Sequence, residues 1–323
     1  MSAMPDQQEV LSTSSEEEMD LNNKEEEGEM GDMKTMTFEP DILDIDLNHQ
    51  RIQKIENLEG CVQLETLCLR WNLLTQIEGL SSLVTLTELD LYDNQLTKIE
   101  GLETLVNLTE LDLSVNRFTV IENISHLKKL KKLFLCMNKI SVIQNLEGLE
   151  SLEMLELGDN RIRKINNLGS LTTLTSLYLG KNKINKIENL DNLVNLRILS
   201  LQSDRITVIE GLDSLTKLEQ LYLSSNGISQ IAGLEHNTQL NTLDLASNRI
   251  AKIENVSHLT ELEEFWCNDN QISDWKDVDQ LAAATQLQTV YLERNPLAND
   301  VNYRRKLKLA LPSLTQIDAT LTR

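Results

Sequence analysis

From Ile45 to Asn295 the chain repeats itself every 22 residues, and a period of that length confines it to stacked supersecondary units. The unit reads L-x-x-L-x-L-x-x-N-x-I-x-x-I, clearest in LETLCLRWNLLTQIEGL, LTELDLYDNQLTKIEGL and LEMLELGDNRIRKINNL. Its asparagine falls at Asn72, Asn94, Asn116, Asn138, Asn160 and Asn182, then at Asn226, Asn248 and Asn270, always 22 residues or a multiple apart. Gln50 opens the series, and Asn295 closes it after a step of 25. No unit of this size can bury its apolar face alone, so the units must stack into one continuous core.

Such agreement predicts a leucine-rich-repeat array of about twelve units over residues 41–295. The expected fold is α/β: a right-handed solenoid whose short x-L-x-L-x strands form a curved parallel sheet on the concave face. With 22 residues per turn, the convex return has room only for extended or 3₁₀ segments. Leu67 and Leu69, Leu74, Ile77, Leu80, Leu83 and Leu86 head the columns of an aliphatic core, which accounts for a composition 40% apolar but only 4% aromatic. Before the Leu80 column stand only glycine and asparagine, at positions such as Gly79, Gly101, Asn123 and Asn145, as a left-handed backbone position requires.

The asparagine column predicts a ladder of buried amides, each both donating to and accepting from backbone groups. Asp204, in LSLQSDRI, stands in that column and is expected to be a weak rung, because an ionised carboxylate can only accept. After Asn295 the period is lost, and residues 296–323, with Tyr303, Arg304, Arg305 and a short apolar run before Pro312, are expected to cap the open end. Residues 1–40 hold twelve acidic side chains against two lysines and few periodic apolar residues, so they are expected to be a disordered acidic tail. Within it Ser14 and Ser15, each with glutamate three residues on, are candidate sites for an acidophilic kinase.

The formal net charge of −21 repels nucleic acid and anionic lipid, and favours a protein partner with a basic surface. No run of about eighteen apolar residues is present, so no membrane span is expected. Four scattered cysteines without a C-x-x-C pair suit a reducing compartment. Phosphate-loop, zinc-protease and nucleophile-elbow motifs are absent, and His126 and His258 occupy matching phases six units apart, too far to share a site. Neither an enzyme nor a bound cofactor or metal is expected.

What remains for function is the residue between each inward pair, which strand alternation turns toward the concave face. These central slots are Asp46, Cys68, Asp90, Asp112, Phe134, Glu156, Tyr178, Ser200, Tyr222, Asp244, Trp266 and Tyr291, of which five are acidic and five aromatic. Aromatic side chains repeated along one exposed column are the material of interface anchors. Glu88, Asp90, Glu110 and Asp112 add a two-by-two carboxylate block that the fold itself is not expected to need. Phase separates the other rings: in LEEFWCNDN, Phe265 takes an inward slot and Trp266 the outward one, with Glu264 beside it; Trp275 falls in the core Ile77 column, and Trp71 at the concave edge.

The strand residues and cap, in LDLYDNQLTKIEGL, LELGDNRI, LYLGKNKI, FWCNDNQI and VYLERNPL followed by YRRKLKLALPSLTQIDA, resemble the leucine-rich-repeat regulatory subunits of protein phosphatase 1 over residues 41–323. The resemblance implies a non-catalytic subunit, nuclear and cytoplasmic, that holds the phosphatase catalytic subunit and controls its maturation, activity or location. It also implies a ternary complex with a small inhibitor protein. Family contact positions carry onto Asp112, Phe134, Glu156, Tyr178, Asp244, Glu264, Trp266 and Tyr291; Tyr222 joins them by phase, with Glu88, Asp90 and Glu110 as secondary contacts. On its own the chain is expected to be a monomer. KTMTF, from Lys34, has methionine where the short phosphatase-docking peptide has valine, and is set aside. A scaffold of a spliceosomal or axonemal assembly, which shares the short unit and cap, is the alternative.

Overall fold

The computed structural model describes residues 31–322. Strands β1 to β12 are three residues each: Asp44–Asp46, Thr66–Cys68, Glu88–Asp90, Glu110–Asp112, Lys132–Phe134, Met154–Glu156, Ser176–Tyr178, Ile198–Ser200, Gln220–Tyr222, Thr242–Asp244, Glu264–Trp266 and Thr289–Tyr291. With β13 (Gln316–Ile317) and β14 (Thr320–Leu321) they form one sheet in strict sequence order, parallel until the final antiparallel pair. This is the expected solenoid. Register is fixed at each step: Ile45 pairs with Leu67, Leu67 with Leu89, and so on, so each inward leucine stacks on the last. The core columns are buried along the whole array, and from β1 to β11 the strands are joined by turns and bends with no helix between them, as a 22-residue unit demands.

Two columns of left-handed backbone hold each turn. The expected one runs from Gly79 (φ 73°) and Gly101 (φ 70°) through Asn123 (φ 57°) to Asn255 (φ 55°). Asparagine is favoured there for a second reason: Asn123, Asn145 and Asn189 each donate through Nδ2 to an isoleucine carbonyl of the preceding turn at 2.7 Å. The other column lies one residue before the ladder and includes Trp71, Val115, Met137 and Lys181, all with φ between 52° and 56°. No glycine marks it. A left-handed residue costs roughly 1–2 kcal/mol, and a hydrogen bond offsets part of that cost here: Val115 N–H donates to Cys136 O and Met137 N–H to Gly158 O, both at 2.9 Å.

The amide ladder is observed. Asn160 accepts from Ile140 N–H at 2.9 Å and donates to Leu135 O at 2.9 Å and Leu157 O at 3.1 Å, joining three segments with one side chain. Asp204 accepts from Ile184 N–H through Oδ1, and its buried Oδ2 has no partner among the described residues. Burial pushes its carboxyl up to about 7, against the hydrogen bonds it accepts. At Asn237 an amide replaces the leucine of the Leu83 column, fully buried and donating to Leu212 O and Leu215 O at 3.0 Å. His126 and His258 are structural as well, with Nε2 lying 3.0 Å from Leu102 O and 2.8 Å from Leu234 O respectively.

Three expectations need correction. Residues 31–40, assigned to the tail, cover the first turn instead: Met33 is 1% exposed within a 3₁₀ turn, Met33–Thr35, and Gly31 N–H donates to Gln50 O at 2.9 Å. An uncovered first repeat would leave its core wet, which is why this segment is ordered. Trp275 is half-buried rather than core, because the longer step inserts a 3₁₀ helix, Trp275–Leu281, that buries Val278 and Leu281. The carboxylate block, treated below, has a role in the fold. At the far end α1 (Tyr303–Ala310) and the β13–β14 pair close the array. The rest of the acidic tail, with Ser14 and Ser15, lies outside the described residues.

Candidate functional site

Strand register places the central slots side by side. Asp112 pairs with Phe134, Phe134 with Glu156 and Glu156 with Tyr178; Ser200 then leads to Tyr222, Asp244, Trp266 and Tyr291. The nine primary candidates therefore lie on eight of nine consecutive rungs, Ser200 holding the other, with Glu264 two residues before Trp266 on the same strand. Rungs of a sheet are about 4.8 Å apart, so the face is a nearly continuous strip of rings and carboxylates.

Where a strand ends in an acidic residue, that side chain caps the turn that follows. Asp90 accepts from Tyr92 N–H at 3.0 Å, Asp112 from Ser114 N–H at 2.9 Å, and Asp244 from Ala246 N–H at 3.0 Å. Glu156 does the same for Gly158 N–H at 3.0 Å. These are local side-chain turns in which a carboxylate satisfies the donor two residues on. The acidic slots are thus partly a requirement of the fold, contrary to expectation.

Nor is the carboxylate block bare. Arg70 forms an ion pair with Asp90 and reaches across a further rung to Asp112 at 3.5 Å, while Lys132 pairs with Glu110 at 2.9 Å. Glu88, beside them, is exposed. Arg70 also lies 5.3 Å from the Tyr92 ring centroid, and Trp71, 41% exposed, stacks on His49 with ring centroids 4.3 Å apart.

Further along, the strip is only partly exposed. Phe134, Tyr178, Tyr222, Trp266 and Tyr291 are all half-buried, and Trp266 and Tyr291 meet with centroids 5.6 Å apart. Trp266 Nε1 is buried and has no acceptor among the described residues. Tyr222 donates to Gln220 Oε1 at 3.1 Å, and Tyr291 accepts from Gln316 Nε2 at 2.8 Å. Asp244, flanked by Tyr222 and Trp266, is 2% exposed and also accepts from Gln202 Nε2 at 3.2 Å. It is therefore not an open contact, as the alternation rule had it, but a buried support between two rings.

Desolvation sets the electrostatics. It raises the carboxyl pKa of Asp112, Asp244 and Glu264, and pushes Glu156 up to about 7, the Gly158 N–H opposing and the Asp112 charge assisting. The Tyr222 hydroxyl is pushed up to about 12 by the same cause. Half-buried rings and carboxylates held above their usual range describe a surface that gains by being covered with matched positive charge. Among the described residues no group of three or more histidine, cysteine, aspartate or glutamate side chains is placed to hold a metal ion.

The family model for leucine-rich repeats in two copies matches residues 84–129, 128–170 and 150–193, and a further leucine-rich-repeat model matches 194–321. Together they run without a gap from residue 84 to 321. Among curated proteins the chain is similar to protein phosphatase 1 regulatory subunit 7 of Xenopus tropicalis, 62% identical over 50 residues, and of Homo sapiens, 63% identical over 49. It is also similar to protein phosphatase 1 regulatory subunit SDS22 of Schizosaccharomyces pombe, 51% identical over 45 residues. These alignments span 13–16% of this chain and 14% of each relative. Among solved structures, an internalin from Listeria monocytogenes superposes with a TM-score of 0.70 at 27% identity, covering 87% of this chain and 88% of the internalin. A leucine-rich-repeat protein of Leptospira interrogans gives 0.66 at 25% identity, covering 81% and 74%.

Proposed function

Since the chain belongs to the leucine-rich-repeat family, its function is a matter of surface rather than cleft, and we propose that it is a non-catalytic regulatory subunit of protein phosphatase 1. The concave strip from Asp112 to Tyr291 binds the catalytic subunit, with Trp266 as the central anchor, and thereby governs that subunit's maturation, activity or location. One observation carries the reading: five half-buried aromatic side chains and the desolvated carboxylates of Asp112, Glu156 and Asp244 share nine consecutive rungs with Ser200. A basic surface would pair those carboxylates while covering the rings and offering an acceptor to the orphaned Trp266 Nε1.

The names of the similar proteins support the phosphatase as that partner and do not favour a spliceosomal or axonemal scaffold. A ternary complex with a small inhibitor protein, a chain monomeric on its own, and a location in nucleus and cytoplasm belong to the same reading. The test is capture of the phosphatase catalytic subunit by purified protein carrying Trp266→Ala or Glu156→Ala. Both variants are expected to lose capture; normal capture by both would remove the proposed face.

A further inference from the structure

The turn that follows the ladder asparagine carries a second patterned surface, of opposite sign. Arg117, Lys139, Arg161, Lys183 and Arg205 occupy the same position on five consecutive turns. The backbone holds them in register: each of their N–H groups donates to a carbonyl of the preceding turn at 2.8 Å, from Arg117 to Leu96 O through Arg205 to Ile184 O. Four of the five are exposed, and Lys183 is half-buried. Arg163, Lys164 and Lys181 stand on the same turns and are exposed as well.

None of these eight cations is in an ion pair among the described residues, whereas Lys128 and Lys131, on the approach to β5, and Lys132 within it all are. The sequence explains the difference. The column of Glu78, Glu100 and Glu122 continues as Gln144 and Asn166, so the acids drop out on the two turns that carry Lys139, Arg161, Arg163 and Lys164, and return at Glu188 and Glu210. In a chain of net charge −21, eight cations outside any ion pair along one edge are a local reversal of sign that the concave strip does not use.

We infer that this edge is a separate docking surface for an extended acidic peptide segment of a protein partner. The width of the stripe selects that ligand class. Five rungs at about 4.8 Å span roughly 19 Å, which an extended chain crosses in about six residues. A narrow peptide can lie along the stripe alone. A nucleic acid or an anionic membrane is wide enough to bring further negative charge within a Debye length, about 8–10 Å, of the carboxylates on the neighbouring strip. The stripe also has no ring on which bases could stack, unlike surfaces that take single strands. Arg161 and Arg163, separated by the inward Ile162, offer two planar forks for carboxylates on one turn.

The experiment uses the whole chain and a fluorescein-labelled peptide of about eight glutamates, followed by anisotropy at low salt. The expected result is saturable binding that weakens with added salt and falls by roughly tenfold or more in the triple variant Arg161→Glu, Arg163→Glu, Lys183→Glu. A control variant, Lys128→Glu with Lys131→Glu, is expected to bind the peptide as the parent does, and capture of the phosphatase catalytic subunit is expected to be unchanged in the triple variant. The inference fails if the triple variant binds the peptide as well as the parent or if the control loses affinity equally. It fails too if a single-stranded oligonucleotide of the same charge, or phosphatidylserine vesicles, bind the stripe more tightly than the peptide. Loss of phosphatase capture by Trp266→Ala bears on the concave strip alone, so the two readings stand or fall separately.

Discussion

Asp204 takes the Ile184 N–H through Oδ1 at 2.9 Å and leaves its other oxygen buried without a partner among the described residues. At the rungs on either side the corresponding amide donates onward, Asn182 to Leu157 O at 2.9 Å and Asn226 to Leu201 O at 2.8 Å. The counterpart of those carbonyls at Asp204 is Leu179 O, which an ionised carboxylate can only repel. A proton on Oδ2 would donate there, and burial pushes the carboxyl up to about 7 from its ordinary 3.8, against the hydrogen bonds it accepts. Because the folded-state value is the higher one, this group's contribution is fully present below about pH 3.8 and is lost as pH rises through about 7. Asp204→Asn is expected to raise thermal stability at pH 8 by about 1–3 kcal/mol and to gain little at pH 4.5. Melting curves of both proteins at the two pH values check it; equal gains would mean that the ladder does not feel the proton.

Trp266 is expected to dominate the concave strip energetically. Its ring contacts Tyr291 and flanks buried Asp244, so truncation removes a large contact area and unroofs a desolvated carboxylate. Trp266→Ala is expected to weaken phosphatase binding by about 2 kcal/mol or more, some thirtyfold in Kd. Phe265 beneath it is fully buried in the core and is a separate matter: Phe265→Ala is expected to lower folding stability by about 3–5 kcal/mol. Titration calorimetry and chemical denaturation on the two variants separate the roles.

The repeat, its twelve strands and the inward columns were legible in the sequence because a 22-residue period repeated so often leaves one phase for the core. The outward phase was legible too, which is why Phe134, Glu156 and Trp266 fall in one column of the sheet. Alternation gives direction, not depth: Asp244 points outward and is nevertheless covered, since depth depends on the size of the side chains on adjacent rungs. The second left-handed column was invisible because Trp71, Val115 and Met137 carry no conformational signature, and a backbone hydrogen bond to the next turn supplies what glycine would otherwise provide. The acidic slots carried two meanings at once. Their local role, accepting the N–H two residues on, appears only when the strand is seen to stop at that residue.

Glu156 makes the proposed interface sensitive to pH. Its carboxyl titrates at about 7 in the free protein, so near neutrality a substantial fraction is protonated. A cationic partner group stabilises the ionised form, and binding must then release a proton. Affinity for the phosphatase is expected to rise several-fold from pH 6 to pH 8, and the rise is expected to flatten in Glu156→Gln. Binding isotherms across that range, in buffers of differing ionisation enthalpy, report the proton release directly.

At the far end the array has to close without another turn, and Asp318 does it. In ordinary turns the amide after the central slot donates to the next strand's carbonyl, as Leu69 N–H does to Asp90 O at 2.9 Å. Beyond β12 the chain turns into the cap, and Asp318 Oδ1 accepts from both Leu292 N–H and Glu293 N–H at 3.0 Å, with Tyr303 donating to the same oxygen at 3.1 Å. One carboxylate thus replaces the missing carbonyl and also serves the N–H that an acidic central slot serves elsewhere, Tyr291 being unable to. Asp318→Ala would strand two amides and a buried hydroxyl, each costing about 1–3 kcal/mol, whereas Tyr303→Phe removes only one donor from a carboxylate that keeps two. Because such arrays lose structure from their ends, the damage is expected to be local first. Hydrogen exchange is expected to accelerate at Leu292 and Glu293 in Asp318→Ala well before it does at Leu135 or Leu157, and much less in Tyr303→Phe. Uniform acceleration along the array would instead mean that the cap and the repeats unfold as one unit.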